Sequence, residues 1–251
     1  MMLAQKIQNV LRGLVQRYGP ESTKRYLWNG EFSAGRWNFL DKTGDESVHF
    51  HVEKYARNGS ILDLGCGPGT TSIELNREAY RFYTGVDISD VAVQKARQRA
   101  QEAGRTDHNE YCQSDILTYV PARQYDVVLY GDSIYYVPPR RIAAMLDRYS
   151  AYLTSDGVFI ARMFDVSGKR RYILDIIETH FTVLEKHLHK ETGACIIVFR
   201  PVGWRVTVAN KSVEQTFLSS TERSSALREQ LPPRTAVGQR SRFIMRVATT
   251  V

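Results

Sequence analysis

The segment ILDLGCGPGT, residues 61–70, decides the fold of this chain. Its first four residues have the character of a buried strand, and they run directly into Gly65, Gly67 and Gly69. One glycine would suffice for a tight turn between a strand and a helix, so three of them indicate more than a turn. A glycine lets the backbone approach a ligand closely, and a helix predicted over 70–78 would offer unpaired N–H groups beside it. The segment therefore predicts a ligand site directly after the first strand.

Outward from this segment, short apolar runs alternate with helical stretches. The predicted strands cover residues 60–64, 81–87, 109–113, 125–131, 157–163, 182–188 and 194–200. The predicted helices between them cover residues 70–78, 89–103, 138–152 and 168–180. This alternation predicts an α/β fold with a doubly wound, mostly parallel seven-stranded sheet and helices on both faces. Only a few residues join the last two strands, so the last strand is expected to run antiparallel.

The chain divides into three predicted regions. They are an N-terminal helix with a lid segment, a core and a C-terminal extension, over residues 1–45, 46–203 and 204–251. In the first region, apolar spacing predicts a helix over 3–17, and residues 21–45 are predicted to be irregular. The core is expected to open with a short helix over 47–57. The extension is rich in Ser, Thr and Arg and is predicted to be loosely ordered, with 242–248 as a candidate late strand.

Composition narrows the class of protein. With 251 residues, of which 43% are hydrophobic and 24% charged, the chain is long enough for a sizeable core and has an ordinary globular balance. No apolar run reaches the roughly 20 residues of a membrane span. Three widely spaced cysteines favour neither a disulfide framework nor a zinc site, so a cytoplasmic location is predicted. The net charge of +7 would suit nucleic acid, but the basic residues are scattered and such a partner is disfavoured.

An acidic residue ends the second predicted strand. Asp87 follows the glycines by about 20 residues, where a carboxylate can accept hydrogen bonds from the hydroxyls of a bound ribose. The glycines read GxGxG, and Thr70 stands where the dinucleotide fingerprint GxGxxG has its last glycine. The sequence thus has the features of a site that binds an adenosine, and only part of the features of a site that binds a pyrophosphate.

Five segments together resemble a class I methyltransferase that uses S-adenosylmethionine. They are DLGCGPG (63–69), GVDIS (85–89), SDI (114–116), YDVVLYGDSIYY (125–136) and LTSDGVFIARM (153–163). By position, the resemblance implies that Asp63 holds the glycine loop and the methionine amino group, and that Asp87 takes both ribose hydroxyls. The other contacts that it implies are Gly65, Cys66, Gly67 and Gly69 along the amino acid and ribose, Ile88, Asp115 and Ile116 at the adenine, and Tyr130 and Gly131 beneath the methionine tail. Taken alone, Asp87 could instead cap the next helix, and Asp115 could lie in a solvated turn.

The catalytic candidates lie just past the fourth predicted strand. A methyl group on a sulfonium is already activated, so the enzyme must align the nucleophile and needs a base only if that nucleophile arrives protonated. Asp132 is the best candidate to accept a proton or orient an amine, and Tyr135 and Tyr136 would form a wall beside the methyl group. The alternative is that Asp132 caps the following turn and both tyrosines belong to the core.

The aromatic-rich segment YLWNGEFSAGRWNFLD (26–41) is predicted to form a lid over the cofactor. Gly35-Arg36-Trp37 resembles a pattern in some bacterial small-molecule methyltransferases. That resemblance implies that Arg36 pairs with the methionine carboxylate and that Trp37 lies at the cofactor. The aromatic side chains, Phe39 among them, could also anchor the segment on the core, and both roles can hold together.

The histidines lead to no predicted metal site. His187 and His189 lie two apart on a predicted strand and share a face, but the sequence shows no third ligand, so an exposed strand face is the favoured interpretation. His49 and His51 do not share a face of their predicted helix. Cys66 meets the need for a small residue in the glycine loop, and a nucleophilic role for its thiol is disfavoured.

The sequence as a whole predicts an S-adenosylmethionine-dependent methyltransferase that acts on an amine or hydroxyl of a small molecule. A sugar or natural-product acceptor is suggested by analogy only. One alternative is methylation of RNA or protein, but GDSIYY stands where enzymes that methylate base amino groups carry Asn-Pro-Pro-aromatic. The other is a non-catalytic cofactor-binding protein, against which the intact glycine loop and Asp87 argue.

Overall fold

A seven-stranded sheet forms the centre of the protein in the computed structural model, which describes residues 2–37, 48–165, 168–189 and 192–203, with side chains from residue 9 onward. The strands are β1 (Gly59–Leu64), β2 (Tyr80–Asp87), β3 (Asn109–Gln113), β4 (Tyr125–Gly131), β5 (Leu153–Phe164), β6 (Phe181–His189) and β7 (Ala194–Pro201). Their order is β3-β2-β1-β4-β5-β7-β6. β1 to β5 pair in parallel, and β7 lies antiparallel between β5 and β6. The predicted mostly parallel sheet with an antiparallel last strand is confirmed.

Helices cover both faces of the sheet, as predicted. They are α1 (Met2–Tyr18), α2 (Glu21–Ser33), α3 (Val48–Ala56), α4 (Thr70–Glu74), α5 (Asp90–Glu102), α6 (Pro139–Ser150) and α7 (Arg171–His180). Successive side chains of a strand point to opposite faces. Accordingly Val127 and Leu129 of β4 pack in one apolar layer with α3 and α5, whereas Val128 and Tyr130 pack in the other with α6 and α7.

The strand order reverses between β1 and β4. β1 pairs with β2 on one side and with β4 on the other, so a crevice opens beyond the carboxyl ends of β1 and β4. Gly65 directly follows β1 and Asp132 directly follows β4. The fold therefore brings the glycine loop and the predicted catalytic segment to the same edge of the sheet.

The second helix corrects the sequence analysis, which predicts an irregular segment over 21–45. Residues 21–33 of that segment form α2, which follows Pro20 and carries Glu21 in its first turn, both favourable at a helix N-terminus. The buried residues of α2 are Lys24, Glu31 and Phe32. Because two of these three are charged, α2 lacks the continuous apolar stripe by which an amphipathic helix is normally identified.

Several predictions lie outside the described residues. They concern Phe39 and the rest of the lid segment beyond residue 37, the start of the helix at Ser47, and the extension over 204–251. All the described residues fall within one compact unit. Within the described ranges, no helix has both the length and the apolar character that a membrane span requires.

Candidate active site

A cavity of about 600 Å³ lies beyond the carboxyl ends of β1 and β4. This volume is typical of small-molecule sites, which span about 300–1,000 Å³. Most of the predicted site residues line it: Trp37, Asp63, Gly65, Cys66, Gly67, Asp87, Ile88, Asp115, Ile116, Gly131, Asp132 and Tyr135. Arg36, Gly69 and Tyr130, which were predicted to touch the cofactor, are not among its lining residues.

Two glycines of the loop have different roles. Gly65 has a φ of +89° and Gly69 a φ of +78°, in the left-handed region where a Cβ is strained. A Cβ on Gly65 would lie 2.4 Å from the Cβ of Ser133, so this glycine lets the loop pack against the segment that follows β4. A Cβ on Gly69 would lie 2.8 Å from the Cβ of Ala96 on α5. Gly69 thus allows close packing of α4 and α5, and it is not among the residues that line the cavity.

Asp87 lies at the end of β2 with its carboxylate beneath the glycine loop. It accepts hydrogen bonds from the N–H of Gly67 at 2.9 Å and from the N–H of Ser89 at 2.8 Å. Burial raises the pKa of Asp87 to about 6, against the lowering effect of these bonds. Asp87 therefore supports the turn before α5, whose N-cap is Ser89, and its carboxylate lines the cavity.

Asp63 carries an unpartnered oxygen at the cavity wall. Its Oδ2 accepts a hydrogen bond from the hydroxyl of Tyr83, whereas its Oδ1 is buried and has no hydrogen-bond partner among the described residues. Burial raises the pKa of Asp63 to about 7, and the nearby charge of Asp87 adds to the effect. A buried carboxylate oxygen without a donor is unfavourable, so this site favours a ligand that brings a positively charged donor.

Asp115 is paired with a residue that the sequence analysis did not identify. Lys24 of α2 donates a hydrogen bond from Nζ to Asp115 Oδ2, and Oδ1 accepts from the N–H of Leu117 at 2.9 Å. The Lys24 and Asp115 side chains are 11% and 8% exposed, so the pair is almost entirely buried. It joins α2 to the place where the resemblance puts the adenine amino group.

Aromatic side chains of the N-terminal region close one side of the cavity. The ring of Trp28 lies 6.0 Å from that of Phe32 and 5.7 Å from that of Trp37, measured between centroids. It also meets Tyr136 edge-on at 4.9 Å. All four rings line the cavity, and they connect α2 with the segment after β4. The described part of this segment therefore lines the cavity and packs against the segment after β4.

Asp132 is engaged in an ion pair. Its Oδ2 accepts from Arg162 of β5, and its Oδ1 accepts from the N–H of Phe164 at 3.0 Å. Asp132 also has a φ of +54°, an uncommon conformation for a residue with a side chain. Because both oxygens already accept hydrogen bonds, the geometry favours a positioning role for this carboxylate over that of a free base.

Tyr135 lies at the same end of the cavity. The guanidinium carbon of Arg170 is 3.4 Å from its ring centroid. Burial raises the pKa of Tyr135, so its phenol stays protonated near neutral pH and can act as a hydrogen-bond donor. The Tyr135 carbonyl accepts from Arg17 of α1 at 2.6 Å, which ties α1 to this segment.

Two more predicted site residues do not line the cavity. Tyr130 was predicted to close the site, but its side chain is fully buried and packs against Tyr149 and Phe159 in the layer under α6. The reason is the alternation along β4, which turns Tyr130 away from the cavity that Leu129 and Gly131 line. Arg36 was predicted to pair with the methionine carboxylate, yet it forms an ion pair with Glu31 at 3.1 Å.

Among the cavity residues that the sequence did not predict are Gln16, Lys24, Arg162 and Arg170. One signal for Lys24 was available, because residues 24, 28 and 32 are four apart and share a helix face once the segment is recognised as a helix. Arg162 and Arg170 carry no such signal, since only the pairing of β4 with β5 and the chain path after β5 bring them to the site. Cys66 lines the cavity, and burial raises the pKa of its thiol, in accord with the expectation that it is not a nucleophile.

Part of the chain is similar to known methyltransferases. Residues 61–157 match the family model of a methyltransferase domain. The chain is 25% identical to carboxy-S-adenosyl-L-methionine synthase of Desulfotalea psychrophila over 65% of its own length and 70% of that protein. It is 30% identical to 27-O-demethylrifamycin SV methyltransferase of Amycolatopsis mediterranei, over 45% of its own length and 44% of the relative's.

The fold has a counterpart among solved structures. The 1,6-didemethyltoxoflavin-N1-methyltransferase of Burkholderia thailandensis, with 1,6-didemethyltoxoflavin and S-adenosylhomocysteine bound, superposes with a TM-score of 0.59 at 17% identity. The match covers 70% of this chain and 86% of that one. At this identity the likeness concerns the fold alone.

Proposed function

The chain belongs to the class I methyltransferases that use S-adenosylmethionine, and we propose that it methylates an amine or hydroxyl of a small molecule. The observation that carries the proposal is the cavity of about 600 Å³ whose lining runs from Asp63 and Asp87 to Tyr135. A concave cavity of this size suits a small acceptor better than a folded RNA or protein. A sugar or natural-product scaffold is the class of acceptor that we would test first.

The charges of the cavity support the binding of S-adenosylmethionine. Asp63 has a buried oxygen that lacks a donor, and the ammonium group of the cofactor would supply one. Asp87 and Asp63 make the electrostatic potential at the same wall of the cavity more negative. This suits a ligand that carries a sulfonium and an ammonium group. We assign the ribose to Asp87 and the adenine to Ile88, Asp115 and Ile116.

When bound, the cofactor supplies a methyl group that its sulfonium sulfur has already activated. The task of the protein is then to position the acceptor and exclude water, which can account for about 7–11 kcal/mol of a barrier. Trp28, Phe32 and Trp37 would exclude water on the side of α2. Asp132, held by Arg162, would orient the hydrogen of an amine or hydroxyl, and the Tyr135 phenol would donate a hydrogen bond to the acceptor.

The proposal is tested by incubating the full chain with S-adenosylmethionine that carries an isotope-labelled methyl group. Parallel reactions contain a metabolite extract, total RNA or an extract of proteins, and mass spectrometry follows the label. We expect a labelled methyl group in the metabolite fraction, and its loss in an Asp87→Ala control. Label that appears in RNA or protein alone would overturn the choice of acceptor. Tight cofactor binding without label in any fraction would favour the non-catalytic alternative.

A further inference from the structure

A cluster of two histidines and a glutamate lies at the edge of the sheet, outside the cavity. His51 belongs to α3, and Glu185 and His187 belong to the edge strand β6. None of the three lines the cavity. The sequence analysis paired His187 with His189 and found no third ligand, because the missing partners are Glu185 of the same strand and a histidine more than 130 residues earlier in the chain.

Two of the three separations between the candidate ligand atoms match those of a metal site. Oε2 of Glu185 lies 3.2 Å from Nδ1 of His51 and 3.3 Å from Nε2 of His187. All three atoms lie within 4.8 Å of one another. Nitrogen and oxygen ligands at about 2.0–2.1 Å from a tetrahedral zinc ion are roughly 3.3 Å apart. The two separations from the carboxylate match that spacing.

The carboxylate is oriented toward the histidines by other residues. Its Oε1 accepts from Nζ of Lys54 and from the hydroxyl of Tyr55, both at 2.5 Å, and this leaves Oε2 facing the two imidazoles. Hydrogen bonds of this kind, from residues that do not touch the metal, are what commonly fix a ligating carboxylate.

One imidazole nitrogen is buried with only a carboxylate oxygen facing it. His51 is 2% exposed, and its Nδ1 lies 3.2 Å from Oε2 of Glu185 without forming a hydrogen bond. A buried nitrogen of this kind is unfavourable unless a donor or a metal ion meets it. His187 is the opposite case, since 46% of its side chain is exposed. An ion in the solvent can therefore reach the cluster at His187.

We propose that His51, Glu185 and His187 bind a divalent transition metal ion such as Zn²⁺, with water completing the coordination. Two imidazoles and one carboxylate suit zinc, cobalt, nickel or copper better than magnesium or calcium. The ion would fasten α3 to β6. Since Val48 and His49 at the start of α3 line the cavity, the metal would stabilise one wall of the active site from outside it. The positive charge of Lys54 beside Glu185 weakens such a site, so we expect it to fill when zinc is added.

The test uses the full chain after treatment with a chelator. Zn²⁺ is titrated by calorimetry, and Co²⁺ binding is followed by visible absorption. We expect one ion per chain, an intense absorption typical of tetrahedral Co²⁺, and no sulfur-to-cobalt charge-transfer band, because no cysteine belongs to the cluster. His187→Ala should weaken Zn²⁺ binding by at least about tenfold. The matched control His180→Ala, which removes an exposed histidine of α7, should bind like the wild type.

A second measurement separates the site from scattered surface binding. Zinc should raise the melting temperature of the wild type and of His180→Ala, and should leave that of His187→Ala unchanged. His187 is half-exposed, so its replacement is compatible with folding, whereas replacement of the buried His51 tests folding as well. Binding that does not saturate at one ion per chain, or that survives in His187→Ala, would overturn the proposal.

Discussion

Replacing Asp63 with asparagine should stabilise the cofactor-free protein and weaken its binding of the cofactor. The Asp63 carboxylate receives one hydrogen bond, from Tyr83, and its Oδ1 is buried without a partner. An asparagine has nearly the same shape and keeps an oxygen for the Tyr83 hydroxyl. It removes the buried charge, and with it the group that we expect to meet the ammonium of the cofactor.

The size of the effect follows from the pKa of this carboxyl. Burial raises the pKa of Asp63 from an ordinary value of 3.8 to about 7. At about 1.4 kcal/mol for each pH unit, keeping Asp63 ionised in the fold costs roughly 4 kcal/mol above pH 7. A buried amide without a partner costs about 1–3 kcal/mol. We therefore expect Asp63→Asn to raise the free energy of unfolding by about 1–3 kcal/mol at about pH 8.

The pH dependence of the unfolding free energy tests the sign of this effect independently. The folded state binds the Asp63 proton more tightly than the unfolded state does, since its pKa is the higher one. The destabilisation of the wild type therefore develops as the pH rises from about 4 to about 7. Toward pH 4 the ionisation cost is lost, so the advantage of the variant should disappear and then reverse, by up to the cost of its buried amide, about 1–3 kcal/mol. Cofactor affinity should fall by about 1.5–3 kcal/mol in the variant, the worth of a charge-assisted hydrogen bond.

Urea unfolding at several pH values and calorimetry with S-adenosylhomocysteine measure the two effects. Asp126→Asn is the matched control, because the Asp126 carboxylate accepts from the N–H of Ser60 at 2.7 Å and from Thr154 Oγ1 at 2.9 Å. This control should destabilise the fold and leave cofactor affinity unchanged. If Asp63→Asn is less stable than the wild type at about pH 8 and binds the cofactor equally well, the reasoning about the unpartnered oxygen is refuted.

Three further predictions concern the same region. Asp87→Ala should weaken S-adenosylhomocysteine binding by about 1.5–3 kcal/mol, and an unchanged affinity by calorimetry would exclude this carboxylate from the cofactor site. Gly65→Ala should lower the free energy of unfolding by at least about 1–2 kcal/mol, the cost of a left-handed residue with a Cβ. The contact with Ser133, at 2.4 Å, adds to that cost, and wild-type stability in urea would contradict the prediction. Lys24→Met should lower the free energy of unfolding by about 3–5 kcal/mol, since it leaves Asp115 buried without its cation. Adding Asp115→Asn should restore most of that loss, and a double variant no more stable than Lys24→Met would show that the pair is not the cause.

Local patterns in the sequence were sufficient for the sheet and for the cofactor side of the cavity. Short apolar runs that alternate with helical stretches indicate the buried strands. The glycines after β1 indicate a backbone segment with φ angles that other residues adopt only with strain. Gly65 and Asp87 lie directly at strand ends, so the parallel sheet alone carries them to one edge. The seven strands and the cofactor were predicted for this reason.

Tertiary structure decided the partners of the charged residues and the direction of individual side chains. The pairs Lys24 with Asp115 and Asp132 with Arg162 join elements far apart in the chain, and their spacing follows no period that a sequence pattern could reveal. Tyr130 turned into the core because a strand has two faces and the motif does not state which one meets the cavity. α2 went unrecognised because two of its three buried side chains, Lys24 and Glu31, are charged, and only the charges that they meet in the folded protein make that arrangement favourable.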